Sequence, residues 1–336
     1  VLVSGGLVAF PTETVYGLGA NALDAAAVEA IFRAKGRPAT DPVIVHLASV
    51  EQVHDVARRV PAIAYDLARA FWPGALTLIL EKQPCLPPSV TAGLPTVGVR
   101  VPAHPVAHQL IARAGVPVAA PSANRFSRPS PTRAVHVLAD LDGVIDLVID
   151  GGPASIGVES TILDLTVSPP VIRRWGGVTL SHIQHILPEA TALAEFFGDH
   201  DVHLAPGQSL RHYAPRAALT LYIGQVDDIA LRVGADVRAA VAAGSRVGVL
   251  SPEEDLMALA PRLAALGRTG RVVTMRYGAR RKLDESAHEL FLALRALDAE
   301  GVDLILASAP EADGIGLAIT DRLTRAAEGR VVRLHR

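Results

Sequence analysis

The sequence predicts an α/β fold in two domains, on three observations. Short apolar runs of strand length alternate with segments of helical spacing along most of the chain. The 336 residues suit two domains at roughly 150 residues each. The alternation breaks once, between 188 and about 215, in a stretch holding Pro, Gly and the polar rings of His200, His203, His212 and Tyr213. That stretch reads as a linker or lid at 188–216, between a first domain at 1–187 and a smaller one at 217–336.

In chain order, 7–11 is short and apolar, like a buried strand. Residues 25–34 carry Val28, Ile31 and Phe32 at helical spacing and run into Gly36, a natural helix terminator. Residues 43–47 read as a strand. The segment 62–71 follows Pro61 and stops before Pro73, as a helix does. Further strands are expected at 76–80, 97–101, 116–120, 144–149 and 161–165, and helices at 105–114 and 132–141. Gly17-Leu18-Gly19 reads as an ordinary turn. Strands this apolar are covered on both faces, which implies layered helices and sheet. The second series places strands at 219–223, 246–250, 272–275 and 302–308, with helices at 229–243, 254–265, 283–299 and 319–327.

Composition narrows the function. Half the residues are hydrophobic, enough for a large core. A single cysteine, Cys85, forms no internal disulfide framework and no Cys-based zinc site. No apolar run approaches the ~18 residues that span a bilayer and no signal-peptide pattern is seen, so no membrane partner and a cytoplasmic location are expected. With 32 basic and 34 acidic residues, net −2, the surface is not built for nonspecific nucleic-acid binding. Lysine occurs only at Lys35, Lys82 and Lys282, so each is more telling than a typical Arg. No acidic residue lies between Glu81 and Asp140, while Lys82, Arg100, Arg113, Arg125, Arg128 and Arg133 do. This is either chance clustering on a solvated face or a local field for an anionic ligand.

There is no GxxxxGK[ST] loop, no GxGxxG after a strand, and no HExxH, CxxC or GxSxG. Chemistry here must therefore rest on positioning and electrostatics more than on a covalent nucleophile. Four loops follow expected strands, where ligands bind in open α/β sheets. PTETVYGLG at 11–19 sets polar Thr, Glu and Tyr in an apolar context, as a capped turn or a site. KGRP at 35–38 places Lys35 and Arg37 together at an exposed helix C-terminus, either to compensate the helix dipole or to bind phosphate; it runs on to Asp41 and the strand-ending His46. Arg100, inside the apolar strand after Thr96, needs a partner, either a ligand carboxylate or a structural acid. PSAN at 121–124, then Ser127, Ser130 and Thr132, suits a nucleotide or the cap of the next helix.

Joined to GVEST at 157–161 with Asp164, and to Arg174-Trp175-Gly176-Gly177, these segments in this order resemble the YrdC/Sua5 family of threonylcarbamoyl-AMP synthases. Pro206-Gly207 and Arg211-His212-Tyr213-Ala214-Pro215 resemble the linker of the long Sua5 form, and the second domain resembles its C-terminal domain. The family pattern is departed from at Trp175, where it has Pro, and at Gln208-Ser209-Leu210. The resemblance implies a YrdC-like twisted open sheet with helices, plus a smaller Rossmann-like α/β domain. It implies an enzyme, a nucleotidyltransferase, that joins L-threonine, bicarbonate and ATP with Mg²⁺ and releases pyrophosphate. The product would go to a tRNA-modifying threonylcarbamoyl transferase complex, so tRNA is an indirect partner. By resemblance, Thr14, His46, Arg100, Ala120 and Ser160 hold threonine, with Arg100 on its carboxylate. Lys35, Arg37, Asp41, Thr96, Ser122, Ser130 and Arg174 line the ATP side, with Lys35 and Arg37 the catalytic charges, and Tyr213 closes over the nucleotide. No protein metal ligand is assigned. The alternatives are a carbamoyl transferase built on the same domain, and an RNA-binding module.

Overall fold

In the computed structural model, residues 1–192, 204–207, 210–267, 270–309 and 313–334 are described. His200, His203, Gln208 and Ser209 lie outside the described residues. The chain divides into two compact units, Val1–Phe126 with Ser130–Ser209, and Leu210–Arg336 with Ser127–Pro129.

The first unit runs β1 (Val8–Phe10), β2 (Gly17–Asn21), α1 (Ala25–Lys35), β3 (Val45–His46), α2 (Val53–Val56), β4 (Ala57–Arg59), α3 (Ala62–Phe71), β5 (Leu76–Lys82), α4 (Pro88–Thr91) and β6 (Thr96–Arg100). It continues with α5 (Pro105–Ala114), β7 (Val118–Ala119), α6 (Ala134–Leu141), β8 (Leu147–Val148), β9 (Thr161–Asp164), β10 (Val171–Arg174), α7 (Leu180–Gln184) and β11 (Thr191–Ala192). The strands form one mixed sheet in the order β11-β10-β9-β5-β6-β3-β7-β2-β1-β8, with β4 paired to β5. Alternation along β1 covers both faces: Ala9 enters the main core with Leu18, Val28 and Ile31, while Val8 and Phe10 face Ala107, Ile111 and Val118.

Helix α1 starts where expected because the Asp24 carboxylate accepts the Ala26 and Ala27 N–H groups, and it ends at Gly36 with φ 64°. The main correction is at Gly17-Leu18-Gly19. This is not a turn but the start of β2, antiparallel to β1 with Phe10 opposite Gly17 and Val8 opposite Gly19. Glycine is needed at 19 because a Cβ would lie 2.7 Å from the Phe10 ring and 2.9 Å from Val118. The polar loop 11–16 is therefore the connection of a β-hairpin. Strands β4 and β10 were not anticipated, and β11 lies inside the stretch read as a linker, parallel to β10. The helix expected from 132 begins at Ala134, with Arg133 at its N-cap and no side-chain cap.

The second unit runs β12 (Ala218–Ile223), α8 (Val226–Ala242), β13 (Val247–Ser251), α9 (Glu253–Gly267), β14 (Val272–Arg276), α10 (Leu283–Ala299), β15 (Leu304–Ala309), α11 (Gly316–Ala326) and β16 (Val331–Arg333), the last not anticipated. Its sheet, β14-β13-β15-β12-β16, is parallel throughout, as the strand–helix alternation requires. Beyond the carboxyl ends of β13 and β15, buried Asp255 ties Ser308 at 2.5 Å and Arg280 at 2.6 Å. Among the described residues no helix is long and apolar enough to cross a membrane.

Candidate active site

Parallel strands β3 and β6 place His46 directly opposite Arg100 at their carboxyl ends. The β1–β2 hairpin delivers Glu13 and Thr14 to the same point. Arg100 is 3% exposed. Its Nη2 donates to Glu13 Oε1 at 2.6 Å, its Nη1 to Thr14 Oγ1 at 2.9 Å, and its Nε to the Gly74 carbonyl at 3.0 Å. The partner the sequence left open is thus a structural acid far away in the chain. Glu13 Oε2 also accepts the Ala103 N–H at 3.1 Å. Burial raises the Glu13 pKa, but the charge and hydrogen bond of Arg100, with backbone donors, outweigh it and hold the carboxyl below its ordinary value.

His46 is buried, with Nδ1 lacking a hydrogen-bond partner and its ring edge-on to Phe10 at 6.5 Å. Burial pushes its pKa down, Arg100 adds to that, and the opposing pull of Glu13 is smaller; the value falls to about 3. His46 is therefore a neutral imidazole at physiological pH. On the neighbouring chain Val118 lies opposite His46, and Ala120 follows two residues on, its N–H donating to the Ile44 carbonyl at 2.9 Å.

Lys35 and Arg37 are not exposed, as the sequence suggested, but 3% and 7% exposed. The reason is local: the chain after α1 turns inward and finds carbonyl acceptors. Lys35 Nζ donates to the Ser122 carbonyl at 2.5 Å and the Asn124 carbonyl at 2.6 Å, so it holds the PSAN loop. Arg37 Nη2 meets Asp41 Oδ2 at 3.0 Å and the Pro42 carbonyl at 2.6 Å. PSAN in turn pairs with the start of β2, through a Gly17–Ser122 bridge and Ala123 N–H to the Tyr16 carbonyl at 2.8 Å.

A second cluster forms at β9 and β10. Arg174 Nη2 donates to the Ser160 carbonyl at 2.9 Å and Ser160 Oγ at 3.1 Å, and Ser160 Oγ lies 2.8 Å from Thr77 Oγ1. Ser130 Oγ donates to Glu159 Oε1 at 2.5 Å. The turn after Arg174 lies directly on the β9 entry: a Cβ at Gly176 would overlap Glu159 and the Ser160–Thr161 peptide. Thr96, Ile44 and Ile162 line an adjoining cleft with Leu204 and Pro206, and the Pro206 carbonyl accepts from Arg174 Nη1 at 3.3 Å.

Thirteen expected residues were named across both substrates, and their fates differ. Thr14, His46 and Arg100 meet at one point; Ser160 and Arg174 meet at another; Lys35 reaches the Ser122 carbonyl; and Arg37 pairs with Asp41. Tyr213 belongs to the second unit, 1% exposed, with its ring 5.3 Å from Phe291 and 5.0 Å from the Arg322 guanidinium. The acid-free stretch builds no common field: Arg113, Arg125 and Arg133 are exposed, Arg128 pairs with Asp298 in the second unit, and of the six cations Arg100 alone joins the Glu13–Thr14–His46 point. Glu13, Glu159 and Thr77 were not assigned. The signal for Glu13 was available, because a buried Arg in an acid-free neighbourhood requires an acid from another strand-end loop.

The family model of Sua5, YciO and YrdC, described as "Telomere recombination", matches residues 1–176, and the model of the threonylcarbamoyl-AMP synthase C-terminal domain matches residues 178–328. The chain is 45% identical to a threonylcarbamoyl-AMP synthase of Pyrococcus abyssi, over 98% of this chain and 93% of that one. It is 44% identical to one of Bacillus subtilis, over 97% and 91%. The crystal structure of P. abyssi Sua5 complexed with L-threonine superimposes with a TM-score of 0.89 at 43% identity, covering 99% of this chain and 94% of that one. With both domain models matched in order and relatives matched nearly end to end, the chain belongs to the YrdC/Sua5 family of threonylcarbamoyl-AMP synthases.

Proposed function

We propose that this protein is a nucleotidyltransferase that makes L-threonylcarbamoyl-AMP and pyrophosphate from L-threonine, bicarbonate and ATP, in the cytoplasm. The observation that carries the reading is the buried Arg100 with Thr14 and neutral His46 at the ends of β3 and β6, in a chain whose structural relative was solved with L-threonine. The threonine amine adds to bicarbonate with loss of water, giving a carbamate. A carbamate oxygen then attacks the α-phosphorus and pyrophosphate leaves. The carbamate is itself the nucleophile, so the protein's work is alignment and charge neutralisation.

Arg100 takes the threonine carboxylate. Thr14, Ala120 and Ser160 shape its surroundings, and His46 offers a neutral nitrogen. Lys35, Arg37, Asp41, Thr96, Ser122, Ser130 and Arg174 form the ATP side. Lys35 fixes the PSAN loop that carries Ser122, and Arg174 holds Ser160. Among the described residues no group of three or more His, Cys, Asp or Glu could hold a metal ion. Mg²⁺ would accompany the ATP phosphates, as the family resemblance implies. The mixed anhydride product is consumed by a threonylcarbamoyl transferase complex acting on tRNA. Pyrophosphate release from ATP and labelled bicarbonate, scored with each amino acid in turn, tests the reading. Threonine-selective release is expected; release without amino-acid preference would overturn it, and RNA binding without turnover would favour an RNA-binding module.

A further inference from the structure

We propose that Glu13 is a positioning residue for threonine recognition, acting through Arg100. This rests on the reading that Arg100 takes the threonine carboxylate. Three groups from two segments hold the guanidinium: the Gly74 carbonyl on Nε, and from the β1–β2 loop Thr14 on Nη1 and Glu13 on Nη2. Of its five N–H donors these use three, leaving one on each terminal nitrogen, a pair that a carboxylate can bridge. Glu13 is itself fixed from two more sides. Its Oε2 accepts the Ala103 N–H at 3.1 Å, and its carbonyl accepts the Ile156 N–H at 2.7 Å. A residue held by its side chain to the loop after β6 and by its backbone to the loop before β9 thus sets the plane of an arginine on β6.

Glu13 also brings a negative charge close to where the substrate carboxylate docks. Its positional role and its charge therefore oppose each other, which makes the two separable. Removing the side chain frees the guanidinium to rotate away. Replacing it with Gln keeps an acceptor for Nη2 and removes the like charge.

The test measures binding of L-threonine, L-threoninamide and ATP to the full chain. Glu13→Ala is expected to weaken threonine by about 10- to 100-fold, the scale of a misplaced binding group, with ATP affinity changed less than about 3-fold. Threoninamide, which has no carboxylate, should lose little more in the variant than it already loses in the parent. Glu13→Gln, which keeps an acceptor for Nη2 but sets an amide N–H₂ against the Ala103 N–H, should fall between the parent and Glu13→Ala for threonine. If Glu13→Ala does not fold, Glu13→Asp, which draws Arg100 back by one methylene, should give the same split between threonine and threoninamide. Equal losses for threonine, threoninamide and ATP would overturn the inference in favour of a purely structural acid, and so would unchanged threonine affinity. Arg100→Ala with threonine affinity intact would instead reject the underlying placement of the carboxylate, and so separates the two failures.

Discussion

Arg37 and Asp41 face each other with side chains 3% and 0% exposed. Removing Arg37 takes the paired cation from a buried carboxylate. Arg37→Ala is therefore expected to lose about 3–5 kcal/mol of stability, the usual result of breaking a buried pair, along with turnover. Urea unfolding checks it, and a melting curve like the parent's would count against the pair. His46 gives a prediction with a sign. Its folded pKa of about 3 lies below the ordinary 6.5, so between those values the unfolded chain binds the extra proton. The contribution is fully present above pH 6.5 and is lost as pH falls toward 3. The parent should lose stability faster than His46→Gln over that window, by up to about 1.4 kcal/mol per pH unit. Glu13, also depressed, adds to the loss at lower pH. Parallel pH curves would mean that His46 takes its proton equally in both states. At this scale residue types were legible and environments were not. Lys35 looked exposed because its role in holding the PSAN loop depends on carbonyls that the fold delivers from 122 and 124.

Most helices were legible because their ends are written in side chains: Pro61 before α3, Pro105 at the start of α5, Gly115 after it with φ 66°. Strand β2 was hidden because two glycines in five residues look like a turn. Their cause lies across the sheet, where the Phe10 ring occupies the space a side chain at 19 would take. That ring is also the edge-on neighbour of His46. Gly19→Ala should therefore cost about 1–3 kcal/mol by overpacking, and should disturb threonine more than ATP because Phe10 must yield toward His46. Unfolding midpoints with separate threonine and ATP titrations check both parts. Normal stability in the variant would show that Phe10 and Val118 have room to spare.

One break in periodicity reads as a domain boundary, the chain divides into two compact units on bounds of their own, and the second unit's parallel sheet follows from strict strand–helix alternation. The order of strands in the first sheet was not legible, because β3, β7, β8 and β11 are two-residue strands whose partners come from distant sequence. What the break hides is the more consequential part. Ala205 is 0% exposed and packs with Ile44, Ile79 and Ile162, while Leu204 and Pro206 line the cleft beside Thr96, and Arg174 holds the Pro206 carbonyl. A tether needs none of these contacts; a segment that covers a cleft needs all of them. We therefore expect residues 204–207 to shield the nucleotide side from water and so protect a hydrolysable product. Ala205→Asp, which buries a charge in an apolar cluster, should expel the segment without touching the threonine point. The variant should keep threonine affinity, hydrolyse more ATP for each threonylcarbamoyl-AMP recovered, and be cleaved faster within 200–215. In the parent, ATP with threonine should slow that cleavage. If cleavage is equally fast with and without substrates, and Ala205→Asp recovers product as efficiently as the parent, the segment only joins the two units and the cleft is closed by something else.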